Sequence, residues 1–176
     1  MARAAAKYLT PICLELGGKS PVLIDRNCDL KVVARRVVWG RMMNNGQTCV
    51  CADYVLVHQD VIQDFQNEAI LALEEYYGID PKESPHLARI VNERHVDRVV
   101  GLLKQTKGRM LTGGLGSVDR EAKFVPPTLV TDVPREDILL QHEIFGPILP
   151  IVKVISDSLS FSPVTSHFIL SHIPSC

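Results

Sequence analysis

Strand-like and helix-like patterns alternate along this chain, and that alternation limits its fold more than any other feature. Tyr54 to His58, Thr128 to Thr131 and Ile148 to Val154 are short apolar or β-branched runs of strand length, as are Val22-Leu23-Ile24 and Arg109 to Thr112. Between them lie longer stretches with helical periodicity. Leu30, Val33, Ala34, Val37 and Val38 mark one apolar stripe after a candidate cap, Asp29, in a helix running to about Met43. Lys31, Arg35, Arg36 and Arg41 are expected on its wetter side. Ile62, Phe65, Ala69, Ala72, Leu73 and Tyr76 mark a second stripe, begun at Asp60 with Gln63 in the manner of a capping box and ended by Gly78. Asn92 caps a third helix carrying Val96, Val99, Val100 and Leu103, closed by Gly108. Strands separated by helices predict an α/β fold, a parallel or mixed sheet covered by helices. The opening residues Ala2 to Leu9 read as the last turns of a helix, halted by Pro11.

Net charge is −1, from 19 basic and 20 acidic residues, which argues against a nucleic-acid groove or a basic membrane-surface patch. No apolar run reaches the roughly 18 residues needed to span a bilayer. Five cysteines, odd in number and irregularly spaced, do not form a disulfide framework and point to a reducing compartment, cytoplasmic by default. The last stretch, 155–176, differs in kind: seven of its 22 residues are serine, and it has no lysine, arginine or glutamate.

Two apparent phosphate-binding motifs fail on spacing. Gly18-Lys19-Ser20 lacks the glycine five positions before Gly18, where Cys13 stands. Gly114 and Gly116 lack a third glycine, because Asp119 occupies its place. Cys49-Val50-Cys51 has no histidine near it in sequence, so no metal site is expected.

Two stretches carry chemistry instead. Asn44-Asn45-Gly46-Gln47-Thr48-Cys49 ends a helical pattern and precedes a strand, a junction that can hold a sulfur exposed. A free thiol has a pKa of about 8.5, so Cys49 needs converging N–H groups or a nearby base to serve as a nucleophile; the alternative is a buried structural thiol. In Leu14-Glu15-Leu16-Gly17-Gly18, a carboxylate sits between two leucines in an extended segment spanning Ile12 to Leu16. A partly buried strand there would leave Glu15 either paired, for example with Lys19, or raised in pKa as a general base requires.

Three segments then resemble, in order and spacing, the signatures of the aldehyde dehydrogenase superfamily. They are Glu15-Leu16-Gly17-Gly18-Lys19-Ser20-Pro21, Gly46-Gln47-Thr48-Cys49 and Glu143-Ile144-Phe145-Gly146-Pro147. Glu15 and Cys49 are 34 positions apart, as in the family pattern. Ala4 to Pro11 and Ile148 to Val152 are most similar to its class 3 branch, which handles fatty and aromatic aldehydes. The resemblance implies an incomplete catalytic domain over 15–154, a remnant of the coenzyme-binding domain over 1–14, and an atypical tail over 155–176. It implies NAD(P)-dependent oxidation of an aldehyde, with NAD or NADP as cofactor, Cys49 as nucleophile and Glu15 as the base for hydrolysis. Glu143 would hydrogen-bond the nicotinamide ribose, Phe145 pack beside it, and the backbone of Leu16 and Gly17 lie along the nicotinamide. Family members form homo-oligomers, and some anchor in membranes through a C-terminal apolar segment that has no counterpart in this tail. Most of the family's coenzyme domain would lie upstream of Met1. Two further readings follow from that: a coenzyme-independent cysteine esterase or thioesterase, and an inactive assembly or decoy subunit.

Overall fold

The computed structural model describes residues 1–155. The tail expected over 155–176 lies, apart from Ile155, outside the described residues. Its elements are α1 (Ala2–Ala6), β1 (Pro21–Ile24), α2 (Leu30–Met42), β2 (Tyr54–His58), α3 (Ile62–Tyr77), α4 (Glu93–Gln105), β3 (Arg109–Thr112), β4 (Thr128–Thr131), α5 (Ile138–Gln141) and β5 (Ile148–Val154). The strands form one sheet in the order β1-β2-β5-β4-β3. All neighbours pair in parallel except β3 and β4, which are antiparallel. This is the α/β, mostly parallel, helix-covered sheet that the alternation predicts.

Strand periodicity divides the core in two. Val55 and Val57 of β2, with Leu149 and Ile151 of β5, face the layer formed by α2 and α3. Their alternates Tyr54, Ile148 and Val152 face α4 and α5. Both faces of the two central strands are therefore apolar, as a parallel sheet with helices on each side requires. Asp29 caps α2 by accepting from the Val32 N–H at 3.1 Å, and Asn92 caps α4 by accepting from His95 at 3.0 Å.

Five expectations need correction. Residues 12–16 form no strand and are exposed, Leu16 at 84%. With β1 itself at the sheet's edge, no neighbouring strand among the described residues pairs them. α3 has no capping box: its cap is Val61, the Asp60 N–H donates to His58 Nδ1 at 3.3 Å, and Gln63 bonds Asn67 within the helix at 3.2 Å. Tyr77, rather than Tyr76, is the more buried aromatic at its end, and Tyr76 packs edge-on against it. Arg41 is fully buried rather than on the wet side of α2. α4 also ends earlier than Gly108, at Gln105.

Candidate active site

The turn that carries Cys49 is built from residues suited to an unusual backbone. α2 stops at Met42, and Asn44, Asn45 and Gly46 follow with φ of 49°, 56° and 73°. Asparagine and glycine are the residues that enter this left-handed region most readily. Gly46 has a second constraint, since a Cβ there would stand 2.2 Å from the Gly146 carbonyl oxygen. Gln47 then ties the turn down. Its Nε2 donates to Asn44 O at 3.0 Å and Arg89 O at 3.1 Å, and its Oε1 accepts from the Val91 N–H at 2.9 Å. Cys49 sits exposed on the next turn, and among the described residues no backbone acceptor is paired with its N–H.

Glu15 is exposed, so the burial expected for it is absent, and Lys19 is not its partner. Its Oε1 accepts from the Gly17 N–H at 3.3 Å, folding the carboxylate back on the glycine corner. Gly17 has φ 115°, and a Cβ on it would lie 2.8 Å from Glu143 Oε2. The charge-perturbed carboxylate is instead Glu143, which is half-buried. Burial first, then the negative charges of Asp53 and Glu15, push its pKa up, while Arg41 and the Gly18 N–H pull the other way.

That shift has a definite sign. A carboxyl whose folded pKa lies above its unfolded value binds its proton more tightly when folded, so ionising it opposes folding. The penalty is absent below the ordinary Glu value of about 4.3 and complete above the raised one. Glu143→Gln is expected to raise the urea midpoint at pH 7, with the gain shrinking as pH falls through the carboxylate range. Equal midpoints at pH 7 would contradict this.

Phe145 also adopts a left-handed backbone, φ 47°, with its ring part-exposed. Arg98 holds that stretch by donating to Ile144 O at 2.6 Å and Phe145 O at 2.7 Å. The 143–147 loop thus touches both other segments: Glu143 against Gly17, and Gly146 against Gly46. Leu16 stands exposed beside that corner. No hydrogen bond joins Glu15 to Cys49 among the described residues.

Sequence reasoning missed the groups packed beneath. Arg41 and Asp53 are joined at 2.9 Å, and Asp53 also pairs with Lys19. Among the described residues, no cluster of three His, Cys, Asp or Glu side chains is arranged for a metal, and no helix is long and apolar enough to cross a membrane. A cavity of about 250 Å³ between Leu73, Ile79, Gly113 and Pro127 contains none of the site residues.

A family model described as the aldehyde dehydrogenase family matches residues 1–158. The chain is 45% identical over 151 residues to a dimeric NADP-preferring aldehyde dehydrogenase of Canis lupus familiaris, covering 86% of this chain and 32% of that protein. It is 47% identical to aldehyde dehydrogenase family 3 member B1 of Rattus norvegicus, covering 86% of this chain and 31% of the relative. The chain therefore spans about a third of the length of the curated relatives it matches. Among solved structures, the substrate-bound AldH of Staphylococcus aureus superposes with a TM-score of 0.81 at 39% identity, over 88% of this chain and 33% of that one.

Proposed function

The chain belongs to the aldehyde dehydrogenase family, and from that premise we propose that it carries the acyl-transfer centre of an NAD- or NADP-dependent oxidation of aldehydes to carboxylic acids. The observation that carries the proposal is the convergence of two distant segments, the glycine corner and the Cys49 turn, on the 143–147 loop. A Cβ on Gly46 would meet Gly146 at 2.2 Å, and one on Gly17 would meet Glu143 at 2.8 Å. Packing this close supports reading Cys49, Glu15 and Glu143 as parts of one site.

In this mechanism the Cys49 thiolate adds to the aldehyde carbon, forming a C–S bond and a tetrahedral thiohemiacetal. The Cys49 N–H is available to donate to the developing oxyanion, where a fixed dipole is worth most. Loss of hydride from that carbon leaves a thioester on Cys49. Glu15 then takes a proton from water, which attacks the thioester carbonyl. The C–S bond breaks, the acid departs and the thiol is regenerated.

A nicotinamide coenzyme, when bound, supplies the hydride acceptor. The glycine corner fits its ribose end, because a Cβ at Gly18 would meet nothing within 4 Å and the Glu143 carboxylate lies beside Gly17 as an acceptor. The class 3 resemblance points to fatty or aromatic aldehydes as substrates. The function of the whole protein, of which this chain covers about a third of the relatives' length, is part of the same proposal.

Hydrolysis of a thioester asks only for a nucleophile and a water-activating base, and Cys49 and Glu15 both lie in this chain. Ester hydrolysis without coenzyme is therefore a second reading with its own support. The test uses p-nitrophenyl acetate and an aromatic aldehyde, each with and without NADP⁺. Glu15→Gln is expected to acylate normally and to hydrolyse slowly, accumulating acetylated Cys49 by peptide mass, with deacylation slowed by about a hundredfold. Acetate found on another cysteine, or unchanged deacylation, would overturn the role of Glu15. Ester turnover without coenzyme-dependent aldehyde oxidation would favour the esterase reading, and an inert Cys49 the assembly-subunit reading.

A further inference from the structure

Three ionisable side chains that the proposed reaction does not use are buried where its three segments meet. Arg41 is 0% exposed, Asp53 2%, and the Lys19 side chain 6%. Burying charges is costly, and a well-packed apolar trio of equal volume often stabilises a fold as well or better. What such groups add is direction. Lys19 Nζ, besides pairing with Asp53, donates to His142 O at 3.0 Å. Asp53 Oδ1 accepts from the Ile144 N–H at 3.1 Å and from Arg41 at 2.9 Å. Arg41 Nη2 donates to Gly146 O, while its Nη1 reaches Ala52 O at 3.2 Å and Cys51 Sγ at 3.1 Å.

The pattern of those contacts is specific. The triad fixes backbone atoms of residues 142, 144 and 146 of one loop, and the two residues between them, Glu143 and Phe145, carry the site's side chains. Each member comes from a different segment: Lys19 follows the glycine corner, Arg41 precedes the Cys49 turn on α2, and Asp53 follows it immediately before β2. The Asp53 N–H also donates to Ser20 O at 2.8 Å, so the corner and the turn are joined through the same residue.

We infer that Lys19, Arg41 and Asp53 are positioning residues, a buried polar clamp that sets the Glu143 loop against the glycine corner and the Cys49 turn. This rests on the reading that Glu143 and Cys49 share one site. The clamp holds two cations and one carboxylate, and the surplus positive charge lies next to Glu143. Arg41 favours the ionised form of Glu143 against the effect of its burial. Burial in turn lowers the pKa of Lys19, opposed by its contact with Asp53. A guanidinium suits the central place, because its fork reaches Asp53, Gly146 O and Ala52 O together, which a single ammonium cannot.

The test compares the 176-residue chain with Asp53→Asn, Lys19→Met, Asp53→Glu and a control, Val38→Ala. Val38 is fully buried in the α2–α3 core and touches no clamp residue by hydrogen bond, so its loss lowers stability alone. Amide hydrogen exchange is followed over 142–147 and over α3, and the rate of Cys49 acylation by p-nitrophenyl acetate is measured on the same samples. Asp53→Asn and Lys19→Met are expected to raise exchange over 142–147 by about tenfold relative to α3 and to slow acylation by about tenfold. Asp53→Glu, which returns the charge, recovers part of both. Val38→Ala lowers the melting temperature and moves neither ratio. The inference is overturned if Val38→Ala loosens 142–147 as much as Asp53→Asn does, or if neither clamp variant loosens it. Should the unaltered chain show no Cys49-dependent acylation while the exchange pattern holds, the functional reading fails and the clamp stands.

Discussion

Cys49→Ala is expected to remove acyl transfer from the chain altogether, a loss on the order of a thousandfold or more in ester turnover. The size of the effect follows from its place in the proposed reaction. Every later step acts on a carbon bound to its sulfur, so no other group can carry part of the load. Serine in its place keeps the shape and loses the nucleophile, since a hydroxyl is far less acidic than a thiol and Glu15 is not bonded to it. Cys13 provides the internal control. It is also exposed, two residues from Glu15, and carries no proposed chemistry. Iodoacetamide is expected to inactivate the chain in step with alkylation of Cys49 and independently of Cys13. Inactivation that tracks Cys13, or ester turnover that survives Cys49→Ala, would remove Cys49 from the mechanism.

How much of this was legible in the sequence depends on which interactions set each element. β2, β4 and β5 fall where their apolar runs stand, because central parallel strands bury both faces and so write themselves as continuous hydrophobic stretches. The caps at Asp29 and Asn92 are local and stand where the pattern puts them, whereas the equally local box expected at Asp60 and Gln63 does not form. Arg41 departs from its expected place for a physical reason. It lies seven residues after Ala34 and three after Val38, which places it on the buried stripe of α2, but its charge suggested solvent. The periodicity was the better guide. The partners that make its burial tolerable, Asp53 and the Gly146 carbonyl, are 12 and 105 residues away in sequence, beyond any local pattern.

Glu15 departs from expectation in the opposite direction. Two flanking leucines suggest a half-buried strand, yet a strand exists only where a neighbour offers hydrogen bonds, and 12–16 has none among the described residues. The carboxylate whose pKa the site raises is the half-buried Glu143, held in a loop against Gly17 by packing that no spacing rule anticipates. The aldehyde dehydrogenase resemblance grouped the three segments, but their physical meeting point, Gly146 under Gly46 and Glu143 against Gly17, belongs to tertiary packing.

The sharpest stability effect is expected at that meeting point, from Gly46→Ala. Two costs fall on one methyl group. At φ 73° an L-residue is in the left-handed region, and the new Cβ would stand 2.2 Å from Gly146 O and 2.5 Å from its carbonyl carbon. The partner atoms are backbone, so they cannot swing aside as a side-chain end would. Gly146 is itself hemmed in, with Val99 Cγ2 2.7 Å from its own Cβ position and Arg41 bonded to its oxygen. Conformational strain and overpacking together amount to roughly 2–5 kcal/mol, a large part of the about 5–15 kcal/mol that holds a typical domain. Gly40→Ala is the contrasting control. It lies inside α2, where a Cβ meets nothing within 4 Å, so alanine there is expected to stabilise by about 0.5–1 kcal/mol. Urea unfolding of the two variants reads the comparison directly. Opposite signs, with Gly46→Ala also slowing Cys49 acylation, are the expected result. A Gly46→Ala chain as stable as the parent would mean that the Cys49 turn does not rest on the Glu143 loop, and the common site would lose its structural basis.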